Sequence, residues 1–169
     1  MRTRLLFILL LPVLQLLSAQ DTGRLLLRHA DVVETIETGA RREALICRGN
    51  VVFTQDSAYI TCDFSSFIQE RQQAFCTGNV VIHDGQHTLK ADSVFYDGKE
   101  LIEKAFGSVR LFSGSNVMSS DTLYYFQEDD RAEAYGSVSL RDTTEKVWIE
   151  GGRGVYEKRN EFARMAGAP

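Results

Sequence analysis

Apolar and polar residues alternate in short segments along most of the chain, and turn-forming residues separate these segments roughly every 14 residues. Asp84-Gly85 and Asp97-Gly98 are two such turns, and an Asp-Gly pair between alternating segments is a strong signal for a β-hairpin. No stretch keeps apolar residues at helical spacing over three turns. The pattern therefore predicts an antiparallel meander of strands about 11 residues long.

A repeat of 29 residues underlies this alternation. A Gly followed two positions later by Val recurs at this step, and so does an Asp followed four positions later by an aromatic residue. The repeated positions are Gly49, Gly78, Gly107 and Gly136, and Asp63, Asp92 and Asp121. Partial copies extend the series from Ala30-Asp31-Val32-Val33 to Ala166-Gly167, with Gly152 in place of the Asp. Residues 20–169 are therefore predicted to form a single domain of about four and a half repeats.

The apolar face of the predicted strands changes sides at each repeated Asp. Before Asp92 the apolar positions are Leu89 and Ala91, and beyond it they shift by one, to Val94 and Tyr96. An unbroken strand cannot change faces, so the shift indicates a bulge or corner, and the repeated Gly is expected to mark a matching bend. Strands bent at mid-length fold a meander into two facing sheets, which predicts an all-β, open jelly roll or half-closed barrel with an apolar interior.

Twelve apolar positions share the inner face on either side of the bends and are predicted to line this interior. They are Val51, Phe53, Ile60, Val80, Ile82, Leu89, Val109, Leu111, Met118, Val138, Leu140 and Ile149. The repeated Asp and Gly residues are interpreted as structural parts of the bends, in which each Asp accepts backbone N–H groups. A calcium site along the Asp ladder is the alternative, although no second carboxylate recurs at a fixed spacing beside it.

The start of the chain and its charge narrow the class of protein. Residues 1–19 place two arginines before an apolar run and end in Ser18-Ala19, which is typical of a secretory signal peptide; a retained membrane anchor is the alternative. Without Arg2 and Arg4 the domain has 17 basic and 23 acidic residues, a net charge near −6. Such a charge disfavours nucleic acid as a partner.

Candidate chemistry is sparse in this sequence. The three cysteines form no CxxC pair, so a zinc site is not expected. Cys47 and Cys76 hold equivalent places in the repeat, so they could form a disulfide with each other or serve as two small core residues. With scattered histidines and no nucleophile elbow, no catalytic residues, metal or cofactor are predicted. Trp148 and the repeated tyrosines are interpreted as core or edge packing, with a sugar-binding platform as the alternative.

From about Ala30 to Gly167 the chain resembles the OstA-like family. The resemblance is carried by the N-terminal leader, Ala30-Asp31-Val32-Val33, Gly-Asn-Val-Val at residues 49–52 and 78–81, Ala-Asp-Ser-Val-Phe-Tyr at 91–96, and the later Gly-Ser-Val motifs. The sequence departs from the pattern at Gly152, and at Arg110, where the first two units have Val.

This family includes the LptA-type periplasmic lipopolysaccharide transport protein and the N-terminal domain of the outer-membrane lipopolysaccharide assembly protein. The resemblance implies a periplasmic protein with an open jelly roll, whose apolar interior holds the lipid A acyl chains of lipopolysaccharide. It also implies end-to-end strand pairing with other OstA-like transport components or with further copies of the chain, as a bridge from inner to outer membrane.

Two other functions remain open at the level of sequence. The chain could be a structural β-scaffold that fills its interior with its own side chains and pairs with envelope proteins by strand augmentation, without lipid. A secreted carbohydrate-active enzyme is the third class, but no pair of carboxylates stands out for glycoside hydrolysis.

Overall fold

Eleven β-strands account for most of the residues that the structure, a computed structural model, describes: 23–38, 41–85, 87–157 and 162–167. They are β1 (Leu26–His29), β2 (Val32–Thr38), β3 (Arg41–Gln55), β4 (Ala58–Ile68), β5 (Gln73–His83), β6 (His87–Asp97), β7 (Ile102–Ser113), β8 (Asn116–Phe126), β9 (Arg131–Asp142), β10 (Val147–Glu157) and β11 (Phe162–Ala166). Within these ranges no helix is long and apolar enough to cross a membrane. The predicted signal peptide lies outside the described residues.

The strands form one antiparallel sheet whose order follows the chain from β3 to β11. β2 pairs with the N-terminal half of β3, and β1 pairs with its C-terminal half. Tight turns such as Asp56-Ser57 connect the strands at the predicted clusters. The first and last strands do not pair with each other in the described ranges, so the sheet stays open. The all-β, open meander predicted from the alternation is confirmed.

A line of bulges crosses the sheet at mid-strand, once in every repeat. Between β3 and β4 the register passes from Arg48↔Phe64 to Val51↔Cys62, so Gly49 and Asn50 together face Asp63. The same shift recurs between β5 and β6 and between β7 and β8. Each repeated Gly and the residue after it adopt left-handed φ, as at Gly78 (75°) and Asn79 (48°). The extra residue therefore lies in the Gly-bearing strand, and it bends the sheet at this line, which we call the crease.

The crease divides the sheet into two halves. The first half-sheet contains residues 41–48, 64–68, 73–77, 93–97, 102–106, 122–126, 131–135 and 153–157, and the second contains 51–55, 58–62, 80–83, 87–91, 109–113, 116–120, 138–142 and 147–151. The inner faces of the halves meet: the rings of Phe53 and Phe67 lie edge to face with centroids 5.2 Å apart, and the Tyr96 hydroxyl donates to Gln55 Oε1. The interior is therefore the space between the two halves of one folded sheet.

Burial follows the predicted change of face. On the Asp-bearing strands the buried positions flanking the crease are three residues apart, as at Ala91 and Val94. On the Gly-bearing strands they are four apart, as at Cys76 and Val80, because of the extra residue. Arg110 is exposed on the outer face, so its presence in place of Val does not place a charge in the interior.

Candidate functional site

The repeated Asp residues lie on the outside of the crease, each against the glycine of the next strand. A Cβ on Gly49, Gly78, Gly107 or Gly136 would overlap the carboxyl group of Asp31, Asp63, Asp92 or Asp121, respectively. Asp63 Oδ2 also accepts a hydrogen bond from Asn79 Nδ2, at 2.7 Å. Asp31 Oδ2 accepts in the same way from Asn50 Nδ2, so these two carboxylates bind the asparagine after the glycine, whereas the sequence predicted backbone N–H groups as partners.

This geometry also bears on the calcium alternative. Successive Asp residues lie on alternate strands, which are about 9.6 Å apart in a sheet. Each carboxyl group lies against the glycine of the next strand, so successive carboxyl groups keep about this separation. Two oxygen ligands of one calcium ion, each about 2.3–2.6 Å from it, are at most about 5 Å apart, so no two of these carboxylates share an ion in this arrangement. The described residues contain no other cluster of His, Cys, Asp or Glu that could hold a metal.

Most of the predicted lining residues lie in the interior. Val51, Phe53, Ile60, Val80, Ile82, Leu89, Val109, Met118 and Val138 are buried. Leu111 and Leu140 are only partly buried, and Ile149, near the end of the sheet, is 42% exposed. The lining residues are therefore well buried from β3 to β6 and become more exposed toward β10.

The N-terminal end of the interior is filled by the protein's own side chains. Phe53 and Phe67 are both fully buried, and Leu25, just before β1, is buried beside them in the same core. The Leu25 backbone N–H donates to Gln72 Oε1 at 2.8 Å, which fixes this segment across the end of the folded sheet. The space that remains at this end is an open hollow of about 450 Å³ with a largely polar lining, in which Arg24, Glu43 and Glu70 accompany Leu45 and Phe67.

The three cysteines are buried and unpaired within this filled part. Cys47 and Cys76 face Ser65 from opposite sides, and the Cys76 thiol donates to Ser65 Oγ at 3.6 Å. Because β4 separates them, their Cα atoms are about two strand spacings, ~9.6 Å, apart, beyond the reach of a disulfide. Burial, and then the nearby Cys76, raise the pKa of Cys47. Cys47 and Cys76 are therefore small core residues, one of the two interpretations that the sequence left open for this pair.

Two adjoining cavities open between the half-sheets in the C-terminal part. One, of about 70 Å³, is lined by apolar residues that include Leu89, Leu111, Leu123 and Tyr156. The other, of about 170 Å³, shares Leu111 and Tyr156 and adds Met118 and Leu140. Five of the predicted lining positions, Ile82, Leu89, Leu111, Met118 and Leu140, thus surround the open space.

Three carboxylates lie at the mouth of the 70 Å³ cavity, where the strand ends of the two half-sheets approach each other. Asp84, Glu103 and Asp130 line this cavity beside Tyr125, whose hydroxyl donates to Asp130 Oδ1 at 3.2 Å. Glu103 Oε1 accepts a hydrogen bond from Gln127 Nε2 at 2.8 Å. Withdrawal from water raises the pKa of Glu103 to about 7. The mouth is thus acidic, with one carboxyl group that titrates near neutral pH.

Sequence reasoning missed Glu103, although a signal was present. The residue four positions before the repeated Gly is, in successive repeats, Leu45, Ala74, Glu103 and Ala132. The strand register places Glu103 between Tyr96 and Tyr125 on the inner face. An acidic residue in a row otherwise apolar was therefore visible in the repeat. The role of Leu25 carries no such signal, because it precedes the repeats.

Both ends of the sheet expose apolar strand edges. Residues 147–150 of β10 pair with β9 on one side and with no strand of the described residues on the other, since β11 pairs only with 153–157. This edge exposes Val147, Trp148 and Ile149. At the opposite end, β2 exposes Val32, Val33 and Ile36. Unpaired, apolar strand edges are templates for pairing with another chain.

The fold and site together define an open antiparallel sheet, folded along a repeated crease, with an apolar interior that is open toward one end. The chain belongs to the OstA-like protein family, whose model matches residues 22–116. It is similar in structure to LptH of Pseudomonas aeruginosa, described as the LptA-homologous periplasmic component of the lipopolysaccharide transport device, with a TM-score of 0.60. The two are 17% identical, and the match covers 66% of this chain and 82% of that one. No curated protein sequence matches the chain.

Proposed function

We propose that this protein is a periplasmic transport module that shields the acyl chains of lipopolysaccharide in its interior and passes them toward the outer membrane. The observation that carries the proposal is the pair of adjoining apolar cavities at Leu111 and Tyr156. Membership of the OstA-like family and the likeness to a periplasmic lipopolysaccharide transport component support the same ligand class.

Apolar burial supplies the affinity in this proposal. Each methylene group moved from water into an apolar lining contributes roughly 0.8 kcal/mol, so ten methylenes contribute roughly 8 kcal/mol before the entropic costs of binding. The half-buried side chains of Leu111 and Leu140 have room to move apart around a chain, whereas the fully buried residues near β3 do not. We therefore place the acyl chains in the C-terminal part, from about β6 to β10.

The charge distribution orients the ligand. Asp84 and Asp130 at the mouth repel the phosphate groups of lipopolysaccharide, and a net charge near −6 on the mature chain acts in the same direction. The acyl chains therefore enter the interior while the phosphorylated headgroup stays outside. No charged contact to the headgroup is needed inside the cavity.

Bridging between membranes is the second part of the proposal. The unpaired edge at residues 147–150 and the exposed edge of β2 lie at opposite ends of the sheet. Pairing of one end with the complementary end of another OstA-like component, or of a second copy, would join the interiors and cover Val147, Ile149, Val33 and Ile36.

One observation favours a different candidate for part of the chain. The Phe53–Phe67 contact and the buried Leu25 fill the N-terminal end with protein side chains, as a purely structural scaffold would. The scaffold function predicts that the whole interior stays free of lipid, so the two candidates differ in a measurable property.

The test is mass spectrometry of organic extracts from protein purified out of its native envelope under mild conditions. Lipopolysaccharide acyl chains are expected with the wild type and with Asp92→Asn, which removes a charge on the outside of the crease. Leu111→Asp, which adds a carboxylate to both cavities, should lower the bound lipid at least tenfold. Wild-type protein without lipid, or a folded Leu111→Asp variant with undiminished lipid, would count against the proposal and favour the scaffold.

A further inference from the structure

A second concave surface lies on the outer face of the second half-sheet, away from the interior. It is a hollow of about 290 Å³ over β7 to β10, lined by Arg110, Phe112, Ser119, Ser139, Arg141 and Trp148 among others. The register explains the grouping: Arg110, Ser119 and Ser139 form one row across the strands, and Phe112, Arg141 and Trp148 belong to the next. The volume is close to the lower limit of small-molecule sites.

The hollow is basic in a chain that is acidic overall. Arg110 and Arg141 are exposed, and neither makes an ion pair or hydrogen bond to another side chain in the described part of the chain. Lys90 adds a third positive charge at the rim, 5.7 Å from the centre of the Phe112 ring. Asp142, next to Arg141, is held by the backbone N–H groups of Thr144 and Glu145.

Glu150 is the carboxylate nearest to the serine row, next to Ser139 at the edge of the sheet. It is three strands from Arg110, about 14 Å in a β-sheet. Asp92 and Asp121 are nearer, because each lies two positions along its strand from a register partner of Arg110. Neither forms an ion pair with Arg110 in the described residues, so its guanidinium is available to an outside anion. Guanidinium groups bind phosphate through two parallel hydrogen bonds, and unpaired ones are the natural recognition groups for it.

Trp148 gives the hollow an aromatic wall. Its side chain is 69% exposed, so it serves neither the core nor the packing of the sheet edge. An exposed indole ring offers a flat apolar face on which a sugar ring can stack, while Ser119 and Ser139 offer hydroxyl groups as donors and acceptors. The combination of two free guanidinium groups, two hydroxyl groups and an aromatic face matches a phosphorylated sugar.

We propose that this hollow binds a phosphorylated saccharide, with its phosphate on Arg110 and Arg141 and its ring on Trp148. The site is on the opposite face of the sheet from the cavities, and it does not depend on lipid binding in the interior. A flat anionic membrane would satisfy the charges but not the concave shape or the aromatic wall.

The single tryptophan of the chain makes the test direct, because its fluorescence reports on this hollow and not on the interior. Glucose 1-phosphate should change the Trp148 emission of the mature protein in a saturable way. Inorganic phosphate should bind at least tenfold more weakly, since it cannot stack, and glucose should give no response at the same concentrations. Arg110→Gln/Arg141→Gln should weaken binding of glucose 1-phosphate at least tenfold.

Arg71→Gln is the matched control, since Arg71 is an exposed arginine in the turn between β4 and β5, far from the hollow. It should bind as the wild type does. Three results would overturn the proposal: no saturable response to glucose 1-phosphate, unchanged affinity in the double variant, or equal affinity for inorganic phosphate. A response to phosphatidylglycerol vesicles without one to glucose 1-phosphate would identify the surface as a membrane contact instead and would also overturn it.

Discussion

Gly78→Ala tests whether the crease depends on the close contact between Gly and Asp. Gly78 has φ of 75°, and a Cβ there would overlap the carboxyl group of Asp63. A left-handed backbone costs an L-residue about 1–2 kcal/mol, and overpacking adds about 1–3 kcal/mol. We therefore expect Gly78→Ala to lower the free energy of unfolding by about 2–5 kcal/mol.

Three further variants separate the cost of backbone strain from the cost of the overlap. Gly114→Ala is the control for backbone strain, because Gly114 has φ of 57° with no atom within 4 Å of the position of a Cβ, so only about 1–2 kcal/mol should be lost. Asp63→Ala removes the hydrogen bond from Asn79 Nδ2 and should cost about 1 kcal/mol. In the double variant Asp63→Ala/Gly78→Ala the overlap is gone, so its loss should fall short of the sum of the single losses by at least about 1 kcal/mol.

Urea unfolding followed by far-UV circular dichroism measures these free energies, provided that the slopes with denaturant agree among the variants. The reasoning is refuted if the losses of Asp63→Ala and Gly78→Ala add within about 0.5 kcal/mol, or if Gly78→Ala is no more destabilising than Gly114→Ala. Either result would mean that the carboxylate moves away from the glycine without cost.

Three more predictions concern buried polar groups. Because burial raises the pKa of Glu103 to about 7 from an unfolded value near 4.3, the folded state binds the extra proton. As the pH rises from 5 to 7.5, the urea midpoint of the wild type should therefore decrease relative to that of Glu103→Gln. If the midpoints of the two proteins change in parallel with pH, the prediction is contradicted. The three thiols should resist iodoacetamide in the native protein and react in urea, since all are buried; native labelling at the unfolded rate, or a disulfide in the intact mass, would be inconsistent with the structure. Ser120→Ala should leave the free energy of unfolding unchanged or raise it by up to about 1 kcal/mol, because Ser120 Oγ is buried without a partner in the described residues. A loss above about 1 kcal/mol, with Ser119→Ala as the exposed-face comparison, would show that the hydroxyl has a partner.

The repeat made the fold readable from sequence. The 29-residue step and the change of face after each Asp require a bend at a fixed place in every strand, and Gly78 and Asp63 meet there in the structure. Local patterning determines strand, turn and inward position, because side chains in a strand alternate between its faces. The residue after each Gly also has left-handed φ, which the repeat alone does not predict. Asparagine, present at positions 50 and 79, is common in that conformation, whereas serine, present at positions 108 and 137, is not.

The distribution of space in the interior was not predictable in the same way. Whether a predicted lining residue is packed or open depends on contacts across the fold, such as Phe53 against Phe67, between residues that no repeat relates. Leu25 fills one end from outside the repeats, and the mouth of the cavity combines Asp84 and Glu103 from different turns and strands. Such contacts are determined by the fold as a whole rather than by local pattern.

The central claim is that lipopolysaccharide acyl chains occupy the space between the half-sheets near β10. Its most direct test is photocrosslinking from two adjacent residues on opposite faces of that strand. Tyr156 lines both cavities, whereas Val155, in register with Glu133 of β9, faces outward. With p-benzoylphenylalanine at each position in turn and lipopolysaccharide present, the account predicts crosslinks to the lipid from position 156 and few from position 155. Equal crosslinking from both positions, or none from position 156 in a folded protein, would contradict it.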